Sequence, residues 1–158
     1  MNQKVFLLAD DDCDDTEMFR EALSNIDIGI ICHAAPDGFE ALKMLDELSE
    51  KPHLIFLDVN MPVMNGWQCL KRLKEYEPYK AIPVIMISTS SHQRERDIAE
   101  DLGVLCYIAK PHDFNQLTKV LQVIVANDGS DLENALKDLQ ASGYHFVYAF
   151  TNDKHLKK

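Results

Sequence analysis

Short apolar runs alternate along the chain with longer stretches whose apolar residues recur every three to four positions. The alternation repeats five times before the chain changes character near residue 127, which predicts five βα units. Strands are expected at about Val5–Ala9, Gly29–Ala34, Leu54–Leu57, Val84–Ser88 and Val104–Ile108. The third, LIFL, and the fourth, VIMI, are apolar throughout, as parallel strands buried on both faces should be. Helices are expected at roughly Asp14–Ser24, with Met18, Phe19, Ala22 and Leu23 on one face, and Gly38–Leu48, with Ala41, Leu42, Leu45 and Leu48. A third spans Gly66–Tyr76; a fourth starts after Ser90, where Ser90 and Gln93 have capping-box spacing, and ends at Gly103; a fifth covers about Asn115–Ala126. Five right-handed βα units predict an α/β fold, a doubly wound five-stranded parallel sheet of the flavodoxin-like order 2-1-3-4-5.

Residues 1–127 read as this one domain and 128–158 as a C-terminal extension. The breaker cluster Asn127-Asp128-Gly129-Ser130 precedes a further helical pattern at 131–142 (Leu132, Ala135, Leu136, Leu139), the aromatic-rich YHFVYAF at 144–150 and a basic tail. About thirty residues cannot build a core of their own, so the segment must fold back on the main domain or pack on another chain. Because two-fold contacts are the commonest homo-oligomeric type, a homodimer through this stripe is the preferred expectation.

Composition narrows the partners. Sixteen Lys and Arg stand against 26 Asp and Glu, a net charge of −10, which argues against nucleic acid and anionic membranes. Protein partners, or ligands bridged by a cation, fit better. The N-terminal apolar run VFLLA is too short for a signal peptide and no later run approaches a membrane span, so a cytoplasmic protein is expected. The four cysteines, Cys13, Cys32, Cys69 and Cys106, have no metal-ligand spacing and are expected as free thiols.

In an open α/β sheet, ligands bind beyond the carboxyl ends of the strands where strand order reverses, here between the first and third strands. Asp10, Asp11 and Asp12 follow the first strand, Asp58 ends the third, Ser88 and Thr89 end the fourth, and Lys110-Pro111 follows the fifth. Two carboxylates ~4 Å apart repel by roughly 4 kcal/mol at an effective dielectric near 20, so Asp10, Asp11 and Asp58 call for a cation or for shifted pKa values. Mg²⁺ suits an all-oxygen site that keeps waters, and Lys110 adds a fixed positive charge. Carboxylates, a divalent cation, a hydroxyl and a lysine are the parts for phosphoryl transfer onto a carboxylate, with Asp58 on the central strand as the nucleophile.

The segments FLLADDD, LIFLDVNMPVMNG, VIMISTS and AKP, together with Ser88 lying 30 residues and Lys110 lying 52 residues after Asp58, resemble the response-regulator receiver domain of two-component phosphorelays. The likeness covers residues 4 to about 127 and is closest in style to single-domain, chemotaxis-type receivers without DNA-binding output. It implies that Asp58 accepts a phosphoryl group from a sensor histidine kinase or phosphotransfer protein. It further implies Mg²⁺ held by Asp11 directly, Asp10 through water, Asp58 and the backbone carbonyl of Asn60. Ser88 would be the switch hydroxyl, Lys110 the phosphate partner, Tyr107 the aromatic switch residue and the Lys110–Pro111 bond cis. Output would be phosphorylation-dependent binding to a protein effector. Thr89 departs from the Ala or Gly usual after the switch hydroxyl and adds bulk beside the approach to Asp58.

Other readings of the same residues are weaker. Six acids in the eight residues Asp10–Glu17 would alone suggest a solvated helix start favoured by the macrodipole. Asp10, Asp12, Asp14 and Glu21 have EF-hand spacing, but Asp15 stands at the obligatory glycine and a strand precedes. A phosphohydrolase using an aspartyl nucleophile on a similar fold would carry a second Asp two residues on, where this chain has Asn60, which cannot titrate. A binding scaffold with vestigial phosphorylation is disfavoured by the presence of Asp58, Asp11 and Lys110. Met61-Pro62 and Gly66 read as turn residues.

Overall fold

The computed structural model describes residues 3–127 and 130–150. Asp128 and Gly129 of the breaker cluster and the basic tail at 151–158 lie outside the described residues. The strands are β1 (Val5–Ala9), β2 (Ile31–Ala35), β3 (Leu54–Asp58), β4 (Val84–Ser88), β5 (Cys106–Ala109) and β6 (Val147–Ala149). The helices are α1 (Cys13–Ile26), α2 (Gly38–Glu47), α3 (Gly66–Glu75), α4 (Gln93–Asp101), α5 (Phe114–Ala126) and α6 (Ser130–Ala141). The sheet order is β2-β1-β3-β4-β5-β6, parallel through β5.

Strand alternation sorts the core into two layers. Leu7, Ile55, Leu57, Val84, Met86 and Tyr107 face α2, α3 and α4, where Ala41, Leu45, Leu70, Leu73 and Ala99 meet them. Phe6, Leu8, Phe56, Ile85, Ile87 and Ile108 face the other way, onto Phe19 and Leu23 of α1 and Val120, Leu121 and Ile124 of α5. Extending the same alternation by one step past β1 and β5 puts Asp10, Asp58 and Lys110 on the α1 side. Ser88 falls on the α4 side with Tyr107.

The sheet has six strands where the hydrophobic pattern gave five. Residues 147–149 of the aromatic segment pair antiparallel with β5, in the register Cys106↔Ala149, Tyr107↔Tyr148 and Ile108↔Val147. Val147 fills the sheet edge, and Leu132, Leu136 and Leu139 of α6 bury on the α1/α5 layer. The extension therefore folds back on its own receiver. The α6 stripe that suggested a dimer is already covered within one chain.

Three local expectations also differ. The segment at Gly29 and Ile30 is a turn, because both N–H groups are taken by Asp27, through its carboxylate and its carbonyl respectively. β5 starts at Cys106 because the N–H of Val104 is spent on the carbonyl of Ala99 at the end of α4. Ser90 and Gln93 form no capping box: His92 is the N-cap of α4 without a side-chain bond, and Ser90 Oγ accepts from the His92 N–H instead. The box that forms is Asn65 with Gln68 at the start of α3.

Candidate functional site at the carboxyl edge of the sheet

The acidic run after β1 divides its labour. Asp12 is the N-cap of α1, accepting from the N–H groups of Asp14 and Asp15. Asp10 is buried and accepts from the Asp12 N–H at 3.0 Å, which turns its carboxylate back over the sheet edge. Asp11 is exposed, yet oxygens of Asp10, Asp11 and Asp58 lie within 4.8 Å of one another. Asp14 stays in solvent, and Asp15 reaches inward.

Asp58 ends the central strand with one oxygen accepting from the Asn60 N–H at 3.2 Å and the other from Lys110 Nζ at 2.9 Å. Lys110 Nζ also donates to Asp10 and to Asp15, each at 2.9 Å. Burial works against the Lys110 charge, but the bonds to Asp15, Asp10 and Asp58 outweigh it and raise its pKa above the usual lysine value. For Asp10 the balance differs: burial pushes its carboxyl up to about 6, with the Asp12 N–H and Lys110 pulling down and Asp58 pushing further up. A largely apolar hollow lined by Phe19, Phe56, Ile87, Ile108 and Leu117 adjoins Asp10, Asp15 and Lys110.

Gly66 fixes the opposite wall. Its N–H bonds the Val59 carbonyl at 3.0 Å, and a Cβ there would lie 2.2 Å from the Asp58 carbonyl oxygen, so α3 can begin this close to β3 only with glycine. Between them the loop places Asn60 at the rim of an open hollow shared with Asp11, Met61, Pro62 and Asn65. Val63 in that loop has φ +66° and is 81% exposed, an unfavourable backbone state for a β-branched residue.

Ser88 is fully buried, and its Oγ accepts from the Ser90 N–H at 3.1 Å. Tyr107, the aromatic switch residue of the resemblance, has its ring fully buried. Its hydroxyl lies 2.8 Å from both the Ser90 carbonyl and Glu95 Oε2, to either of which it can donate. Burial pushes this phenol up to about 12, the Ser88 hydroxyl opposing and Glu95 adding to the shift. Tyr148 of β6 meets the ring edge-on at 6.3 Å, and the Arg96 guanidinium lies over Tyr148 at 4.2 Å. Thr89 is exposed.

The Lys110–Pro111 bond, expected cis, is trans, as is every peptide bond among the described residues. Trans is the lower-energy isomer even before proline, and Lys110 reaches all three carboxylates with it. Asp15, Glu95 and Tyr148 escaped the sequence reading. The signal for Asp15 was present: with Asp12 as N-cap, Asp15 falls at the third helical position, on the first turn of a helix that starts beside the sheet edge.

The strand order and this carboxyl-edge cluster are those of a receiver domain of two-component signalling. The response regulator receiver domain profile matches residues 6–122, and the chain belongs to that family. It is 31% identical over 126 residues to the response regulator Rcp1 of Synechocystis sp. (strain ATCC 27184 / PCC 6803 / Kazusa), a match spanning 77% of this chain and 86% of that protein. Among solved structures, the phosphorylated cyanobacterial phytochrome response regulator RcpA superposes with a TM-score of 0.72 at 31% identity, covering 78% of this chain and 91% of RcpA. The Mn(2+)-bound form of Rcp1 gives 0.70 at 30% identity, over 78% and 92%. Receivers of this family are phospho-acceptor switches supplied by histidine kinases, and they bind Mg²⁺ or Mn²⁺ at an acidic pocket. No helix among the described residues is long and apolar enough to cross a membrane.

Proposed function

We propose that the chain is a stand-alone cytoplasmic response regulator, a receiver at 1–127 with an appendage at 128–158, and that Asp58 is its phospho-acceptor. The observation that carries this is the 2.9 Å contact of Lys110 with Asp58 beside the Asp10/Asp11/Asp58 cluster. Asp58 Oδ attacks phosphorus in line, forming an acyl phosphate as the P–N bond to the donor histidine breaks. The electron pair passes to the imidazole, which takes a proton from solvent. Lys110 binds a phosphoryl oxygen and the Ser88 hydroxyl donates to another.

Three carboxylates grouped within 4.8 Å, with no sulfur or imidazole among them, fit a hard divalent cation such as Mg²⁺. Asp10, Asp11, Asp58 and the Asn60 carbonyl would hold it, and it would supply neutralisation of the phosphoryl oxygens. The phosphorylated RcpA and Mn(2+)-bound Rcp1 structures support both parts of the reading.

The switch begins at Ser88. Donating to the phosphoryl group turns its hydroxyl away from the Ser90 N–H, and Ser90 carries the carbonyl that holds Tyr107. The α4–β5 surface then changes for a protein effector. Water reaching the acyl phosphate resets the switch, with Thr89 narrowing its approach. Nucleic acid and membrane are not partners in this reading. With the α6 stripe covered, a homodimer needs another surface.

Incubation with a small phosphodonor and Mg²⁺ should add one phosphoryl group to the mass of the wild type. The gain should vanish in Asp58→Asn and with chelator. A wild type that stays unmodified, or an Asp58→Asn variant modified as much, would overturn the assignment.

A further inference from the structure

Lys110 donates at 2.9 Å to Asp10, Asp15 and Asp58, which uses all three protons of an ammonium. Asp10 and Asp58 belong to the carboxylate group that also contains Asp11; Asp15 does not. Its backbone N–H is fixed by the Asp12 cap and its side chain crosses from α1 to the loop after β5. It is also the wettest of the three partners, with its side chain 33% exposed against 2% for Asp10 and 8% for Asp58.

We propose that Asp15 is a positioning residue that competes with the phosphoryl group for Lys110 and thereby slows phosphorylation of Asp58. The proposal rests on the reading of Asp58 as phospho-acceptor. Two of the three Lys110 partners change character on phosphorylation: Asp58 becomes an acyl phosphate, and Asp10 shares its charge with the cation cluster. Asp15 lies outside that cluster and is not the group modified. It is therefore the counter-ion that a phosphoryl oxygen must displace to gain a Lys110 proton, and its charge repels an anionic donor at the mouth of the site. Removing it leaves Lys110 held by Asp10 and Asp58, so the ammonium stays in place and becomes easier to recruit.

The test uses the full chain with acetyl phosphate at saturating Mg²⁺, following the phosphorylated fraction by mass over time. Asp15→Asn should be phosphorylated about two- to fivefold faster than wild type, the range a partly exposed ion pair supports. Asp15→Glu, which keeps the charge, should stay near the wild-type rate. Asp14→Asn removes a charge from the same helix turn at an exposed residue without a bond to Lys110, and should also stay near wild type. In the metal-free protein, the Lys110 ammonium signal in ¹⁵N-lysine NMR should move in Asp15→Asn and not in Asp14→Asn, which a purely helix-capping role would not produce. An Asp15→Asn rate no higher than that of Asp14→Asn, or an unmoved Lys110 signal, overturns the proposal. A wild type that accepts no phosphoryl group overturns the functional reading instead, and the NMR comparison then still decides whether Asp15 holds Lys110.

Discussion

The Tyr107 hydroxyl lies 2.8 Å from the carbonyl oxygen of Ser90, whose own N–H bonds the Ser88 hydroxyl at 3.1 Å. One residue of the loop before α4 thus holds both ends of the path from the sheet edge to the aromatic ring. Tyr107→Phe removes the donor and leaves the ring in place. It should cost about 1 kcal/mol in urea unfolding, the usual net value of one hydrogen bond, while Asp58 is still phosphorylated. A loss of phosphorylation in this variant would mean that Tyr107 supports the acid site itself.

The Asp10/Asp11/Asp58 group predicts a metal-dependent stability. Mg²⁺ at a hundredfold excess over its dissociation constant should stabilise the folded chain by about 2.7 kcal/mol, visible as a rise in unfolding temperature. Asp11 is exposed and has no bond to Lys110, so Asp11→Ala should fold normally and lose most of that response. An equal shift in the variant would place the cation elsewhere.

Without metal, Asp10 should make stability fall with rising pH. Its folded value of about 6 exceeds the usual 3.8, so the folded state binds the extra proton between these values. Its contribution is complete below the unfolded value and is lost as pH rises through the folded one. Between about pH 4 and pH 7, wild type in chelator should lose on the order of 2 kcal/mol relative to Asp10→Asn, measured by urea unfolding at each pH. Parallel curves for the two proteins would show that Asp10 is not strained.

Val63 offers a stabilising change. Asn tolerates a positive φ better than a β-branched residue, and the side chain is in solvent, so Val63→Asn should raise stability by roughly 1 kcal/mol. Unchanged or lower stability would mean that the loop conformation is not a source of strain.

The parts legible in the sequence are those where local pattern and burial coincide. LIFL and VIMI lie at the sheet centre, covered on both faces, so uninterrupted apolarity identified β3 and β4. Asp10, Asp58 and Lys110 were legible because each sits directly at a strand end, and a doubly wound sheet brings those ends together. What pairs over long distances was not. Asp15 meets a lysine 95 residues away, and β6 is only three residues long, its place set by an open edge of β5 rather than by alternation of its own. Ser90 does not cap α4 because its hydroxyl accepts from the His92 N–H, a local bond that the spacing to Gln93 does not reveal.

The antiparallel strand at the end of the chain changes what kind of strand β5 is. A fold that ends at β5 leaves that strand with a row of free N–H and C=O groups, open to any extended peptide. Here those groups are taken: the Ala109 N–H bonds the Phe146 carbonyl and the Phe150 N–H bonds the Leu105 carbonyl. The strand bearing Tyr107 has become an interior strand, and the outward edge is three residues of β6, too short to template another chain. A molecule approaching Tyr107 from that edge meets Tyr148 first.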